Sequence, residues 1–383
     1  MSTQTKARQI RLLQGNEACA DAAIAAGCRF FAGYPITPAT EVAERMAERL
    51  PEVNGRYIQM EDEIGSMAAI LGASAAGMKS MTSTSGPGFS LMMENIGLGA
   101  MMEIPCVVMD VQRGGPSTGL PTLVAQQDMM QARWGSHGDY ALVAYCPNSP
   151  QEMFNLAIQA FNTAEKYRIP TLVMADESIA HMTEKVVIPE KESIKLVGRK
   201  KPTVPPEDYV PFKPDEDLIP PMALAGEGYS VRMTGLTHDE LGRPAINIEA
   251  QTKLIPRLAE KIRKHSSDII RYEELLMDDA DVVVLAYGIT SRCVRRSVEL
   301  ARKDGVKAGL FRLITAWPFP EDKVRELATR IKAFVVPEIN LGQMVHEVER
   351  AVAGRIPVKG VTYHGGGMPN PELTYKAIKE AAR

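Results

Sequence analysis

Four short turns in the first third of the sequence carry side chains that can do chemistry, and each follows an apolar run typical of a β-strand. The turns are Tyr34–Pro38, Glu61–Gly65, Thr84–Gly88 and Gln112–Gly115. They supply a hydroxyl, a carboxylate, small residues and a guanidinium. A carboxylate can accept and return a proton, and a guanidinium can bind another carboxylate through two parallel hydrogen bonds. The four turns are therefore candidates for a ligand site, provided that the fold brings them together.

The surrounding pattern predicts such a fold. Strand-like runs alternate with helical stretches from Arg29 to Ala175, which indicates a doubly wound α/β domain with a parallel sheet. Thr37, Glu63, Ser85 and Arg113 are each expected just beyond the carboxyl end of a strand. Because these ends lie along one edge of an open parallel sheet, the four side chains are expected to converge there.

Local signals predict the elements beside the turns. Thr37 is expected to cap a helix over 39–50, with Pro38 in its first turn. Arg113 is expected to open a long loop over 113–122, followed by a helix over 123–134. Further along the chain, a charged helix is expected to begin at Pro256, because proline suits a first turn and disrupts a helix interior.

The alternation breaks once, which suggests how the chain is divided. Eight of the 26 prolines fall between residues 189 and 221, and such a segment is typical of an extended linker or surface arm. Residues 222–248 have too little periodicity for an assignment. Alternation resumes at Asp281. The sequence thus predicts an α/β domain over 1–188, an insert over 189–270 and a smaller second α/β domain over 271–383.

Composition limits the classes of function. The 383 residues include 44 basic and 47 acidic ones, and the net charge of −3 gives no basic field that would attract nucleic acid. No apolar run is long enough for a membrane span, and the N-terminus lacks the apolar core of a secretory signal. The five cysteines are dispersed, which favours reduced cytoplasmic thiols over disulfides or a resident iron–sulfur cluster. The six histidines show no metal-ligand spacing, so no metal site is expected on this chain.

Other ligand motifs are absent or lack their context. The sequence contains no phosphate loop and no G-x-G-x-x-G after a strand. Gly365–Gly367 follows a strand without that spacing and is interpreted as a flexible turn. Gly115–Gly119 matches G-x-S-x-G, but a nucleophile elbow requires a strand that turns directly into a helix. Ser117 lies several residues past the strand, and Pro121 follows it before any helix, so a nucleophilic role is disfavoured.

The four turns, in this order, resemble motifs of the α subunits of 2-oxoacid:ferredoxin oxidoreductases, and the likeness is closest to the 2-oxoglutarate-specific members. The Ser-Gly-Pro-Gly turn also occurs in other thiamine enzymes, but the four ordered motifs together are highly specific. Segments 311–320 and 337–343 look like the family's second domain, so the resemblance covers nearly the whole chain. It implies a domain of the thiamine diphosphate pyrimidine-binding type, followed by a smaller domain like the C-terminal domain of transketolase.

The resemblance also implies roles for individual residues. Glu63 matches the catalytic carboxylate that bonds N1′ of the thiamine aminopyrimidine and favours the imino tautomer, whose nitrogen removes the C2 proton. Thr37 and Arg113 match residues that hold the carboxylate and keto group of a 2-oxoacid, so Arg113 is also expected to act in catalysis. Thr122 matches a position that lines the substrate pocket. The residues expected to contact the cofactor are Pro35, Glu63, Ser85 and Gly86.

The implied reaction is oxidative decarboxylation of 2-oxoglutarate with coenzyme A, giving succinyl-CoA, carbon dioxide and reduced ferredoxin, or its reverse. The chain lacks the Gly-Asp-Gly start of the family's diphosphate and magnesium motif, and it lacks cluster cysteines. The resemblance therefore implies that a β subunit holds the diphosphate, Mg²⁺ and a [4Fe–4S] cluster, that γ and δ subunits can take part, and that this chain alone is inactive. Two alternatives stay open: a branched-chain or broad-specificity relative, and a non-catalytic interface subunit, which the retention of Glu63 and Arg113 disfavours.

Overall fold

Two large β-sheets and a small two-stranded sheet organise the chain, and a computed structural model describes residues 9–383. The elements of the first half are, in chain order, β1 (Gln9–Gln14), α1 (Gly15–Ala25), β2 (Phe30–Gly33), α2 (Thr40–Arg49), β3 (Arg56–Gln59), α3 (Glu63–Ala75), β4 (Ser80–Thr84), α4 (Gly86–Met101), β5 (Cys106–Gly114), β6 (Leu120–Val124), α5 (Met129–Trp134), β7 (Val143–Tyr145), α6 (Pro150–Tyr167), β8 (Pro170–Asp176), α7 (Glu177–His181) and β9 (Thr183–Ile188). Those of the second half are α8 (Ile248–Lys264), α9 (Ser266–Ile269), β10 (Tyr272–Leu275), β11 (Val282–Ala286), α10 (Gly288–Lys303), β12 (Ala308–Leu313), β13 (Thr315–Trp317), α11 (Glu321–Leu327), β14 (Ala333–Glu338), α12 (Met344–Val352), β15 (Val358–Thr362) and α13 (Pro371–Ala381).

The larger sheet confirms the predicted doubly wound architecture. Its central strands run parallel in the order β3-β2-β4-β5-β8-β7. Every residue of β4, β5 and β8 is buried, as expected for strands that are covered by helices on both faces. The smaller sheet, β10-β12-β11-β14-β15, is also parallel except for β10 at one edge. Within residues 9–383, no helix combines the length and the apolarity that a membrane crossing requires.

The predicted boundaries near the turns were wrong in three places. Thr37 does not cap a helix, because α2 begins only at Thr40. Arg113 lies inside β5, which continues to Gly114. The chain then folds back, and the apolar run 120–124 pairs antiparallel with the extended end of β5 as strand β6 instead of starting a helix. Helix α5 is accordingly short and begins at Met129.

Helix α8 begins eight residues earlier than predicted. Its first turn is capped by Asn247, whose side-chain Oδ1 accepts a hydrogen bond from the Ala250 amide at 2.9 Å. Pro256 therefore lies inside the helix. The helix continues through this proline because its buried face, which includes Leu254 and Leu258, packs on the rest of the protein. Tertiary packing here outweighs the lost backbone hydrogen bond.

A buried ionic cluster fastens α8 and the insert to the larger sheet. The side chains of Glu103 and Lys261 are fully buried, with Nζ to Oε2 at 2.7 Å. Arg257 donates to the same carboxylate at 2.6 and 3.0 Å. Arg168 donates to the Glu103 carbonyl at 3.1 Å and to the Pro220 carbonyl of the insert at 3.1 Å. Segment 189–221 is thus tied to the rest of the chain through hydrogen bonds from Arg168.

Glu103→Gln should destabilise the fold by about 3–5 kcal/mol, because it leaves Lys261 and Arg257 buried without a countercharge. Urea denaturation at neutral pH measures the loss. Glu249→Gln removes an exposed partner of Lys253 on the same helix and should leave the midpoint unchanged. Equal midpoints for the two variants would contradict the role of the cluster.

The same carboxylate should make stability depend on pH. Burial alone would raise the pKa of Glu103, but Lys261 and Arg257 outweigh burial and lower the pKa below its usual range. The stabilisation is therefore complete above the unfolded-state pKa of about 4.3 and is lost as the pH falls from there toward the lower folded-state pKa. The Glu103→Gln variant should lack this loss.

The two halves of the chain are joined by a shared sheet. Strand β13 leaves the smaller sheet and pairs antiparallel with β7, at the end of the larger sheet. The indole Nε1 of Trp317 on β13 donates to the Met129 carbonyl of α5 at 2.8 Å. No strand was predicted over residues 315–317, which follow β12 after a single residue.

Candidate active site

The structure brings four of the predicted residues to one edge of the larger sheet. Thr37, Glu63 and Ser85 follow β2, β3 and β4, and Arg113 is the second-last residue of β5. These four strands are parallel neighbours, so their carboxyl ends form one continuous border, here called the strand-end edge. Ligands of open α/β sheets bind at such borders.

Glu63 is held in a dry position at this edge. It is the first residue of α3, and the preceding Asp62 caps the helix by accepting a hydrogen bond from the Gly65 amide at 2.8 Å. The Glu63 side chain points inward, and the residue is only 4% exposed. Burial raises the pKa of Glu63, since a carboxylate without water favours its neutral form. Glu63 is thereby suited to exchange a proton or to share one with a ligand.

Gly88, the third residue of α4, makes room for this carboxylate. A Cβ atom on Gly88 would lie 2.1 Å from Glu63 Oε1 and 2.3 Å from Thr84 Oγ1. Real carbon and oxygen atoms do not approach so closely, so a side chain at this position would displace the Glu63 carboxylate or the Thr84 hydroxyl. The contact joins the second and third predicted turns at a single point.

Gly88→Ala should therefore displace Glu63 and destabilise the protein by about 1–3 kcal/mol through overpacking. Gly72→Ala on α3 is the matched control, because a Cβ there meets nothing within 4 Å. It should leave stability unchanged or raise it by about 0.4–1 kcal/mol. Thermal or urea unfolding of both variants measures the difference, and an unaffected Gly88→Ala protein would rule out the close contact.

Arg113 lies between acidic groups at the same edge. It is 7% exposed, and its Nη1 donates to the Thr37 carbonyl at 2.5 Å. Burial lowers the pKa of Arg113, and the charges of Asp128 and Glu63 oppose that effect. Its Nε has no hydrogen-bond partner within residues 9–383. A buried guanidinium with a free donor is suited to bind an anionic ligand.

The remaining predicted residues differ in their placement. Ser85 is fully buried and its Oγ has no hydrogen-bond partner in the described chain, whereas Gly86 opens α4 beside it. Pro35 and Thr122 are exposed, and Thr122 lies on β6 at a distance from the cavity lining. The serine of the G-x-S-x-G match lies in the β5–β6 hairpin, so it has no strand-to-helix elbow.

A cavity of about 630 Å³ opens beside Arg113 and Gly86. Its walls come from both halves of the chain. The first half supplies the β5–β6 hairpin, the start of α4, and residues just before and on α5. The second half supplies the segment after β14. The polar and apolar side chains that define it are those of Ser90, Gln127, Asp128, Gln131, Leu341 and Gln343. The volume is sufficient for a small organic ligand.

Hydrogen bonds between the two halves hold the cavity wall in place. The Gln126 amide donates to the Ile339 carbonyl at 3.0 Å, and Asn340 Nδ2 donates to the Gln126 carbonyl at 2.6 Å. Gln343 Nε2 donates to the Gln127 carbonyl at 2.6 Å. These bonds tie the segment after β14 to the residues that follow β6.

Two buried aspartates beside the site were missed in the sequence analysis. Asp110 is the one charged residue in the otherwise apolar start of β5 and is fully buried. That charge inside an apolar run was the available signal. Asp128 precedes α5 and is 7% exposed. It was hidden because a continuous helix was predicted across it.

The strand-end edge fits the pyrimidine half of a thiamine cofactor. Three features lie together there. Glu63 supplies a buried carboxylate of raised pKa, and Gly88 leaves space for it. Ser85 supplies a buried hydroxyl that has no hydrogen-bond partner in the described chain. Among residues 9–383, no group of three or more histidine, cysteine, aspartate or glutamate side chains could hold a metal ion.

Comparisons with known proteins agree with this geometry. The family described as pyruvate flavodoxin/ferredoxin oxidoreductase, thiamine diphosphate-binding, matches residues 21–256, and the pyruvate:ferredoxin oxidoreductase core domain II matches residues 280–373. The chain is 53% identical to 2-oxoglutarate synthase subunit KorA of Methanocaldococcus jannaschii, over 97% of this chain and 99% of that protein. It is 35% identical to ketoisovalerate oxidoreductase subunit VorB of Methanothermobacter thermautotrophicus, over 97% and 98% of the two chains.

A solved structure extends the likeness to three dimensions. The 2-oxoglutarate:ferredoxin oxidoreductase from Magnetococcus marinus, with 2-oxoglutarate, coenzyme A and succinyl-CoA bound, superimposes with a TM-score of 0.91 at 35% identity. The match covers 98% of this chain and 66% of that longer one. Two family matches, a relative with more than half of its residues identical, and a shared fold all agree. The chain therefore belongs to the thiamine diphosphate-binding pyruvate flavodoxin/ferredoxin oxidoreductase family.

Proposed function

We propose that this chain is the α subunit of a thiamine diphosphate-dependent 2-oxoglutarate:ferredoxin oxidoreductase, which converts 2-oxoglutarate and coenzyme A to succinyl-CoA and carbon dioxide and reduces ferredoxin, or runs in reverse. The observation that carries the proposal is the placement of the buried Glu63 carboxylate against Gly88, with the Arg113 guanidinium at the same edge. Such a site requires from this subunit a carboxylate that binds the cofactor and a cation that binds the substrate.

Glu63 would hold the aminopyrimidine of the cofactor through its N1′ atom. Its raised pKa matters because the group must exchange a proton near neutral pH instead of staying ionised. Gly88 keeps this carboxylate in place, and the Ser85 hydroxyl and Gly86 would lie against the ring, with Pro35 nearby. When bound, thiamine diphosphate supplies the carbon nucleophile that attacks the keto carbon of the substrate.

Arg113 would bind the carboxylate next to the keto group of the substrate. Its guanidinium is held by the Thr37 carbonyl, which leaves other donors free. Thr37 would contribute its hydroxyl to the same substrate group. Thr122, on β6, is not among the residues that line the cavity, so its place in the substrate pocket stays a prediction from the resemblance. The position of Arg113 beside the 630 Å³ cavity supports this assignment, because the rest of the substrate needs space beyond its carboxylate.

Partner chains are part of the proposal. The M. jannaschii and M. thermautotrophicus relatives are described as subunits, and this sequence lacks the Gly-Asp-Gly start of a diphosphate motif. A β subunit would supply the diphosphate site, Mg²⁺ and a [4Fe–4S] cluster, and γ and δ subunits can complete the complex. In the cytoplasm, the complex would pass electrons to ferredoxin.

Two alternatives are less well supported. A branched-chain specificity is disfavoured by the lower identity to the ketoisovalerate subunit, 35% against 53% to the 2-oxoglutarate subunit. A purely structural subunit is disfavoured by the burial of Glu63 and by the clash that any side chain at Gly88 would produce.

Affinity purification of the tagged chain from its native host tests the proposal. We expect co-purification of a β subunit with an iron–sulfur spectrum and 2-oxoglutarate-dependent, CoA-dependent reduction of ferredoxin. A panel with pyruvate and 2-oxoisovalerate tests the specificity. Preference for 2-oxoisovalerate would contradict the proposed substrate, and full activity of the isolated chain would contradict the divided site.

A further inference from the structure

The Asp110 and Asp128 carboxyl groups form a buried pair directly behind Arg113. Asp110 is 0% and Asp128 is 7% exposed, and the two groups lie within hydrogen-bonding reach of each other. Neither oxygen of Asp110, nor Oδ2 of Asp128, has another partner in the described chain. Two ionised carboxylates in contact and without water repel each other strongly, so such a pair retains a proton.

The surroundings of the pair are well defined. The Asp128 amide donates to Gln112 Oε1 at 3.1 Å, which fixes the start of α5 over β5. The charge of Arg113, on β5, lowers the pKa of Asp128. The charge of Glu63, at the start of α3, raises the pKa of Arg113. Asp128 also lines the cavity together with Arg113. The charges of Asp128 and Glu63 therefore both favour the protonated form of Arg113.

We infer that Asp110 and Asp128 share one proton, provide the single negative charge that positions Arg113 before substrate binds, and take up a second proton when a 2-oxoacid binds. This inference rests on the proposed function. An incoming substrate carboxylate competes with the pair for the one guanidinium. Without a further proton the buried site would then hold an excess negative charge, which is costly in a medium of low polarity. Protonation of the pair removes that excess, so substrate binding and proton uptake are coupled.

The direction of the effect on affinity follows from this linkage. Burial raises the pKa of Asp128 to about 6 and also holds the pKa of Asp110 well above its usual range, which favours one retained proton on the pair in the free site. Below that pKa the pair is already neutral and substrate binds without uptake. Above it, each binding event must draw a proton from solvent. The KM for 2-oxoglutarate should therefore rise by up to about tenfold per pH unit above about pH 6.

The test is the pH dependence of KM and kcat for 2-oxoglutarate in the native complex, for wild type, Asp110→Asn and Asp128→Asn. In wild type the rise should appear in KM and not in kcat. Each single variant leaves one carboxylate that can still take up a proton when substrate binds and should retain a rise, whereas the Asp110→Asn/Asp128→Asn double variant has no acid left in the pair and should abolish it. Asp139→Asn, an exposed aspartate after α5, is the matched control and should retain the wild-type profile.

An infrared measurement tests the shared proton separately. The wild-type complex without substrate should show the carbonyl band of a buried protonated carboxyl, and both variants should lose it. A pH-independent KM in an active wild-type complex, or a rise that the double variant retains, would overturn the proton linkage and leave the proposed function intact. A complex that turns over no 2-oxoacid would overturn the proposed function, and absence of the infrared band would overturn the shared proton in either case.

Discussion

Glu63→Gln in the assembled complex should lower the rate of acyl-CoA formation by about 10²–10⁴-fold, the range that a positioned acid–base group contributes. Glutamine has nearly the same shape, so it fits beside Gly88 and keeps the fold. It cannot exchange a proton, however, and its orientation toward N1′ of the cofactor is not enforced by charge. The rate of CoA-dependent 2-oxoglutarate oxidation with ferredoxin as acceptor measures the effect.

Two controls make this result specific. Glu61→Gln changes an exposed carboxylate two residues away and should leave the rate unchanged. Thermal unfolding of the Glu63→Gln protein should show no loss of stability, because replacing a buried carboxylate of raised pKa by a neutral amide removes an unfavourable charge. A fully active Glu63→Gln complex would exclude Glu63 from catalysis.

Arg113→Gln should raise the KM for 2-oxoglutarate by about 10- to 100-fold, since hydrogen bonds to charged groups contribute about 1.5–3 kcal/mol. Arg113→Lys should have a smaller effect, because it keeps the charge but loses the planar fork that binds a carboxylate at two points. Steady-state kinetics over a range of 2-oxoglutarate concentrations separates KM from kcat.

Arg296→Gln is the control for this second effect. Arg296 is a half-exposed arginine on α10, paired with Glu299 and remote from the cavity lining. It should leave both constants unchanged. A KM that stays at the wild-type value in Arg113→Gln would mean that another cation binds the substrate carboxylate, and the assignment of Arg113 would fail.

Much of the fold was predictable because its strands and helices follow simple periodic patterns. Helices α6 and α13 are of this kind, since each has proline in its first turn and buries one apolar face. The errors arose where tertiary contacts override local signals. Residues 120–124 form a strand because β5 extends beyond the sheet and offers a free edge, and α8 passes through Pro256 because its apolar face is buried on both sides of it.

The candidate site was predictable to the extent that it depends on strand order. Parallel neighbours must place their carboxyl ends together, so the convergence of Thr37, Glu63, Ser85 and Arg113 followed from the alternation alone. The contribution of Asp128 and Gln343 did not, because nothing local indicates that α5 and the segment after β14 meet. Those contacts depend on how the two halves pack, which no short pattern encodes.

Strand β13 has a consequence for attempts to dissect this protein. A truncated chain that ends near residue 270 would retain the whole strand-end edge, yet it would lose the strand that covers β7. An uncovered, fully buried strand such as β7 presents unpaired amide and carbonyl groups to other molecules and promotes edge-to-edge aggregation. The N-terminal part is therefore a poor candidate for expression as an isolated fragment, and fragments intended for ligand screening should extend at least through Trp317.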